Sequence, residues 1–397
     1  MRKFGLIGKK LGHSYSALIH SKFADYEYDL IETNEEDLEA WIKSEEYGGF
    51  NVTIPYKKTV MQYCDELSEA AKKIGAVNTI VKTADGIIKG YNTDYYGFQY
   101  LIEATEIDPM GKKCLVLGSG GASLTVQAVL TDMGAEEVIV VSRGGAVNYE
   151  NVHDVAGDAQ IIVNATPVGM YPDNDRIPLK PSSFPQCEGA LDLIYNPNKT
   201  KFVLDAMAAD IPASGGLKML VAQAKEACEI FTGIEIEHEA LENVHDEVRR
   251  ETLNLVLIGM PGAGKTTLGR EMAENMGREF LDVDDMIIEH EGMSIPEIFQ
   301  SKGESYFRKI ETEMLEKACI KSGVVIAAGG GIVKTKKNYF IIKQNATICW
   351  IKRDLDKLET EGRPISQSMP VEKIYEERKD LYAKWSDYFI NNNEGRD

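Results

Sequence analysis

The run GMPGAGKTT, Gly259 to Thr267, lies between an apolar stretch, Leu253 to Ile258, and a helix-prone stretch, Leu268 to Met276. Gly259, Gly264, Lys265 and Thr266 meet the spacing G-x-x-x-x-G-K-[ST], and a strand before it with a helix after it is the setting in which that spacing binds phosphate. The glycines let consecutive backbone N–H groups curl around phosphate oxygens, and the helix N-terminus adds partial positive charge. Lys265 reaches the outer phosphates, and the Thr266 hydroxyl can ligate Mg²⁺. The competing reading is a tight strand-to-helix turn with no ligand. The motif starts two thirds of the way along the chain, so the preceding 250 or so residues have a task of their own.

At 397 residues the chain has room for two or three domains. Its formal net charge of −19 disfavours a nucleic-acid surface, so an anionic substrate would depend on local Arg and Lys. Cysteines at 64, 114, 187, 228, 319 and 349 form no CxxC pair, which argues against a zinc site or a disulfide framework and suits a reducing cytosol. The apolar part of MRKFGLIGKKLGHS is too short for a signal peptide, and no apolar run approaches membrane-spanning length. The expectation is a cytoplasmic protein acting on small molecules, with no nucleic-acid or membrane partner; no motif bears on oligomeric state.

Working outward, Lys113 to Leu117, Val138 to Val141 and Ile161 to Asn164 are apolar strands separated by helix-prone or polar segments, the pattern of a doubly wound parallel sheet. Residues 1 to about 105 mix short strands (Lys3 to Ile7, Gly49 to Thr53) with helical stretches (Ser16 to Asp25, Glu35 to Lys43). The charged segment Gly233 to Thr252 predicts a short, stiff, helical junction. The fold class is therefore α/β throughout. A substrate domain over 1–105, completed by 215–245, precedes a Rossmann-like domain over 106–231 and a phosphate-loop domain with a parallel sheet over 252–397.

Several segments upstream carry chemistry. In NVTIPYKK, a strand ends at Thr53, Pro55 can open a helix, and Lys57 falls in its first turn. A helix dipole disfavours an ammonium there, which suits proton transfer, although a solvated surface lysine is the plainer reading. GAVNTIVKTADGIIKGYNTD reads as a hairpin turning at Asp85-Gly86. It pairs 78 with 93 and 77 with 94, and places Asn78 beside Asp94 at its open end. GSGGAS, Gly118 to Ser123, stands where a dinucleotide pyrophosphate would sit, with Ser123 in place of the third glycine of G-x-G-x-x-G. The next strand ends in Ser142 and Arg143, and a guanidinium at that tip favours the 2′-phosphate of NADP. NATPVGM ends a further strand at Asn164 with a turn over Pro167 and Gly169. Beyond the phosphate loop, Asp282 and Asp284 in FLDVDD are read as two strand residues projecting to one side, one carboxylate for the metal shell and one for a substrate hydroxyl. Arg308 in GESYFRKIE, Gly329 to Gly331 after an apolar strand, Arg363 in GRPIS and Arg378 in EERKDLY complete the candidates.

GHSYS, NVTIPYK, GAVNT, YNTD, GSGGAS, NATPVGM, DLIYNPNKT and GLKMLVAQA occur in the order found in shikimate dehydrogenases, which residues 1 to about 245 resemble over their whole length. The resemblance implies Lys57 and Asp94 as the catalytic pair. It implies Ser14, Ser16, Thr53, Asn78, Asp94, Tyr195 and Gln223 as substrate ligands. NADP would be held by Gly118, Gly120, Gly121, Ala122, Ser142, Arg143, Asn164 and Thr166. The segment SRGGAV departs from the family in having Ala146 and Val147 where a second arginine is common, and Gly144 to Gln160 is short and Gly-rich for a helical crossover. A quinate/shikimate dehydrogenase using NAD is the nearest rival. Residues 253 to about 393 resemble shikimate kinases. That implies Asp284, Arg308, Gly330, Gly331 and Arg378 at the substrate, with Asp284 also catalytic, and Gly262, Gly264, Lys265, Thr266, Thr267 and the lid residue Arg363 at ATP. Thr266 and Asp282 would serve Mg²⁺. The lid between Leu355 and Arg363 is short, and no adenine-stacking arginine stands near Lys357. The product of the first resembled enzyme is the substrate of the second, so the implied function is a bifunctional enzyme of the route to chorismate. It would reduce 3-dehydroshikimate with NADPH and phosphorylate shikimate with ATP.

Overall fold

A computed structural model describes residues 3–12, 14–358 and 370–393. The chain divides into two units, Met1–Arg249 and Arg250–Asp397, and the helix His238–Thr252 occupies the charged segment in which a helical junction is predicted.

The first unit contains two sheets. One is mixed, with strands in the order Tyr28–Glu32, Lys3–Gly8, Tyr47–Val52, Thr79–Lys82, Ile88–Tyr91 and Glu66–Leu67. Lys3–Gly8 pairs in parallel with both neighbours, and all its residues but Lys3 are buried, as a strand covered on both faces requires. Two expectations need correction here. The hairpin pairs Thr79 with Tyr91 and Ile80 with Gly90, one residue away from the register read from sequence. Its turn holds three residues, Ala84 to Gly86, closed by Thr83 N–H to Ile87 O at 3.0 Å, so position 78 lies opposite 92 and not 93. Lys57 is not in a helical turn either. Tyr56 N–H donates to Thr53 O, Val77 N–H takes the Lys57 carbonyl at 2.8 Å, and only then does a 3₁₀ segment, Thr59–Tyr63, begin. With its carbonyl committed to another segment, Lys57 gains no helix dipole.

The second sheet is parallel throughout, in the order Ala213–Ser214, Gly189–Asp192, Ile161–Asn164, Lys113–Leu117, Glu137–Val141. Numbered along the chain this is 5-4-3-1-2, a doubly wound order whose direction reverses between Lys113–Leu117 and Ile161–Asn164; the crevice beyond the carboxyl ends of those strands is where such folds bind ligands. The short crossover forms only the five-residue helix Val152–Ala156.

The second unit is a five-stranded parallel sheet ordered Phe280–Asp282, Val325–Ala327, Asn254–Ile258, Ala346–Lys352, Tyr388–Asn391. Asn254–Ile258 is fully buried between two neighbours, and the helix Lys265–Met276 follows the glycine loop directly. The side chains of Val256, Ile258, Ile326 and Ile348 are inaccessible to solvent and anchor this core, each contributing about 1.5–3 kcal/mol by burial.

Candidate active site

In the first unit Ser14, Ser16, Thr53, Lys57, Asn78, Asp94, Tyr195 and Gln223 all line one cavity of about 280 Å³. Each arrives by local geometry. Ser16 opens the helix Ser16–Phe23, and its N–H and hydroxyl both meet Ser14 Oγ, at 3.2 and 3.0 Å. Thr53 leaves the strand Tyr47–Val52 with its N–H on Ile7 O at 2.9 Å. The tie from Val77 to the Lys57 carbonyl turns that side chain toward Asp94, and Nζ donates to Oδ2 at 2.6 Å. Asp94 is the first residue of the helix Asp94–Glu103, whose positive end favours a carboxylate, so the dipole predicted for the lysine acts on its partner. Asn78 Oδ1 accepts from Thr93 N–H at 2.7 Å and fixes the residue just before Asp94. Gln223, on the helix Leu217–Thr232, accepts from the Thr93 hydroxyl at 3.3 Å. Burial first, then Tyr15, pushes the Tyr195 phenol up to about 12, leaving it a neutral donor.

Sequence reasoning missed Asn51, which lines the same cavity and is buried. It accepts from Tyr28 Oη at 2.6 Å and donates to Thr79 Oγ1 at 3.0 Å, and Thr79 in turn reaches Asn78 Oδ1 at 3.2 Å. A buried amide opening NVTIPYK was the available signal.

At the switch point of the parallel sheet, Gly118 has φ +104°, and a Cβ there would come within 2.9 Å of Thr166 Cγ2, so glycine lets the two loops meet. Gly120, Gly121 and Ala122 are exposed at the start of the helix Gly121–Asp132, and a Cβ on either glycine would meet nothing within 4 Å. Open space before the first-turn amides fits a pyrophosphate. Asn164 Oδ1 accepts from both the N–H and the hydroxyl of Thr166, at 3.0 and 2.7 Å, while its Nδ2 donates to Asp192 Oδ1 at 3.1 Å. Asp192, which sequence reasoning passed over, is fully buried and also accepts from Ile194 N–H and the Thr200 hydroxyl; burial pushes its carboxyl up to about 7 against those bonds. Ser142 N–H closes a tight loop onto Val147 O at 3.1 Å, leaving Arg143 exposed at the tip.

In the second unit Lys265 is buried and donates to the carbonyls of Gly259 and Met260 at 3.1 and 3.0 Å, so its ammonium lies inside the loop formed with Gly262 and Gly264. Thr266 and Thr267 are exposed. The Thr266 hydroxyl donates to Asp282 Oδ2 at 2.7 Å. The aspartate pair differs from the strand geometry expected. The strand stops at Asp282, which caps the helix Val283–Glu291 by accepting from Asp284 N–H at 2.9 Å, so Asp284 belongs to the first helical turn. Hydroxyl and carboxylate oxygens suit a hard cation that keeps most of its waters, and no larger metal-ligating cluster exists among the described residues.

Arg308 sits beyond the break at Gly303 (φ +81°) in Ile295–Ile320, reaching Glu311 at 2.7 Å and Glu304 at 3.1 Å. A Cβ on Gly331 would lie 2.2 Å from the Arg308 guanidinium, and one on Gly329 would lie 2.5 Å from Glu311 Oε1 and 3.0 Å from Asp284 Oδ1. The triple glycine therefore lets one backbone turn pass through the cluster of charges. Arg378 is 1% exposed and donates to Gly330 O at 2.9 Å, while Arg378 Nε has no hydrogen-bond partner among the described residues; Tyr382 Oη donates to the same carbonyl. A buried guanidinium with an unused N–H fits an anionic ligand. Glu311, missed from sequence, is the buried counter-charge: burial pushes its carboxyl up against the pull of Arg308 and Arg378. A further cavity of about 270 Å³ by the loop is lined by Met260, Trp350, Arg353 and Asn393, and Arg353 donates to Gly262 O at 3.3 Å. Arg363 lies outside the described residues.

Comparisons agree with both halves. The family model of the shikimate dehydrogenase substrate binding domain matches residues 6–80, and that of shikimate kinase matches residues 261–397. A shikimate dehydrogenase (NADP(+)) from Clostridium beijerinckii is 38% identical over 271 residues, covering 63% of this chain and 99% of that protein. Among solved structures, a chorismate mutase/shikimate 5-dehydrogenase fusion protein from Clostridium acetobutylicum superposes with a TM-score of 0.60 at 36% identity, covering 62% of this chain and 97% of that one. Shikimate 5-dehydrogenase from Thermus thermophilus, in complex with NADP(H) and shikimate, gives 0.56 at 31% identity, covering 62% and 99%. With these matches beside the geometry of the two sites, the chain belongs to the shikimate dehydrogenase family and carries a shikimate kinase domain fused after it.

Proposed function

We propose that the two units carry out consecutive reactions: NADPH-dependent reduction of 3-dehydroshikimate to shikimate in the first, and ATP-dependent phosphorylation of shikimate in the second. The bifunctional reading rests on the two family matches. The assignment of residues rests chiefly on one observation, that all eight side chains expected at the dehydrogenase substrate converge on a single cavity around the Lys57–Asp94 pair.

In the first site Lys57 gives a proton to the oxygen of the forming alcohol, and Asp94 holds both that lysine and a neighbouring substrate hydroxyl. Ser14 and Ser16 hold the substrate carboxylate, while Asn78, Thr53, Gln223 and the neutral Tyr195 phenol orient its hydroxyls. NADP, when bound, supplies hydride chemistry. The exposed amides at Gly120 to Ala122 would hold its pyrophosphate, Asn164 and Thr166 would line its cleft, and Ser142 and Arg143 would take its 2′-phosphate.

In the second site Asp284 orients and deprotonates the attacking hydroxyl, and Arg308 and Arg378 grip the carboxylate against the Gly330–Gly331 turn. Lys265 turns from the loop carbonyls to the outer phosphates of ATP. Mg²⁺, when bound, neutralises phosphate charge; Thr266 and Asp282 would hold it. The substrate part spans 1–105 with 215–245, the cofactor part 106–231 and the kinase part 252–397.

The test is to assay purified chain separately for shikimate-dependent ADP formation and for NADPH oxidation by 3-dehydroshikimate. Loss of only the second in Lys57→Ala is expected. A Lys57→Ala variant with unchanged NADPH oxidation would refute the site.

A further inference from the structure

The first unit holds another cavity, of about 230 Å³, that shares no residue with the substrate cavity. Its lining includes Lys199, Lys218, His245 and Arg249 together with the apolar Val203, Met207 and Leu217. Lys218 lies five residues before Gln223 on the helix Leu217–Thr232, roughly 140° round the axis, so the two side chains serve different faces. The lining contains no carboxylate among the described residues, on a chain with 63 acidic against 44 basic residues. His245 is mostly buried, and its imidazolium is disfavoured first by burial and then by Lys218, with Arg249 adding to the effect and Asp246 opposing it. Asp246 stands 3.3 Å from Nδ1 but is largely exposed. Cationic side chains are thus gathered at one cavity of a chain whose net charge is −19.

We propose that this cavity binds a small organic phosphate that also bears a carboxylate, the chemical class of the phosphorylated acid released by the second unit. The proposal rests on the kinase reading for the source of that ligand. A phosphomonoester carries about −1.5 to −2 charges at neutral pH and a carboxylate one more, which matches three cationic side chains. Buried Val203 and Leu217, with the more exposed Met207, give the carbon skeleton an apolar surface. Inorganic phosphate shares the anionic group but not the carbon skeleton, and ADP lacks the carboxylate.

Calorimetric titration of the full chain with shikimate 3-phosphate, inorganic phosphate and ADP tests this. Wild type is expected to bind two molecules of shikimate 3-phosphate, one at the kinase site and one here. The Lys218→Ala/Arg249→Ala variant should bind one, the second weakened about tenfold or more, with kinase rate and melting temperature unchanged. ADP should bind once in both proteins, and inorganic phosphate should bind here more weakly than the organic ligand. One molecule of shikimate 3-phosphate in wild type, two in the variant, or inorganic phosphate binding as tightly as the organic ligand would overturn the proposal. If the double variant melts early, Lys199→Ala provides the same readout. Absence of ADP formation in the kinase assay, with this binding intact, would refute the kinase reading and leave the site.

Discussion

Asp192 ends the strand Gly189–Asp192 as a fully enclosed carboxyl, and burial raises it from 3.8 to about 7 despite hydrogen bonds from Thr200, Ile194 and Asn164. Such a group holds its proton more tightly folded than unfolded. The stability it lends is complete below about pH 4 and is lost as pH rises toward 7. At about 1.4 kcal/mol per pH unit of separation, the whole effect is about 4 kcal/mol. Roughly 2.5 kcal/mol of it falls between pH 5 and 8, because the unfolded carboxyl is already mostly ionised at pH 5. Asp192→Asn removes the ionisation while keeping an acceptor for Ile194 N–H and Asn164 Nδ2. The assay is urea unfolding of the full chain across that range, following the transition that NADPH displaces, since a chain of two units gives no single midpoint. The stability of wild type minus that of Asp192→Asn should fall by about 2.5 kcal/mol from pH 5 to 8. A difference that stays flat, or grows with pH, would refute the reasoning.

Three further outcomes are expected. Gly331→Ala places a methyl 2.2 Å from the Arg308 guanidinium. The flexible end of the arginine can give way, so melting should barely move while the KM for shikimate in the kinase assay rises about tenfold. Arg143→Ala should raise the KM for NADPH about tenfold and leave that for NADH within about twofold, as steady-state kinetics with both cofactors would show. Lys57→Ala should cut the dehydrogenase rate by about 10²–10⁴ and leave ADP formation unchanged, measured on one preparation.

Much of this architecture was legible because it depends on local pattern. The strand before Gly259 and the helix after Lys265 follow from apolar run and glycine spacing, and the strands near 113, 138 and 161 follow in the same way. The candidate residues of the first cavity were found through motif order, and the cavity gathers all of them. What escaped depends on contacts distant in sequence or on one-residue detail. A three-residue turn in place of two displaced the hairpin register, and the Val77 bond kept Lys57 out of a helix. Asp282 chose to cap a helix over continuing a strand, which rotated Asp284 into the first turn. Asp192 is an isolated acid in sequence, and only burial reveals it as the partner that fixes Asn164; Glu311 plays that part for Arg308. For Glu311 a local clue existed, since Arg308 lies three residues before it on one helix.

The most direct test of the account is a coupled assay with the purified chain, 3-dehydroshikimate, NADPH and ATP, following NADPH oxidation and ADP formation together. The account predicts ADP formed mole for mole with NADPH consumed at completion, no ADP when NADPH is omitted, and continued NADPH oxidation without ADP in Lys265→Ala. ADP formation that ignores NADPH, or a Lys265→Ala variant that still makes ADP at the wild-type rate, would contradict two consecutive reactions carried by these two sites.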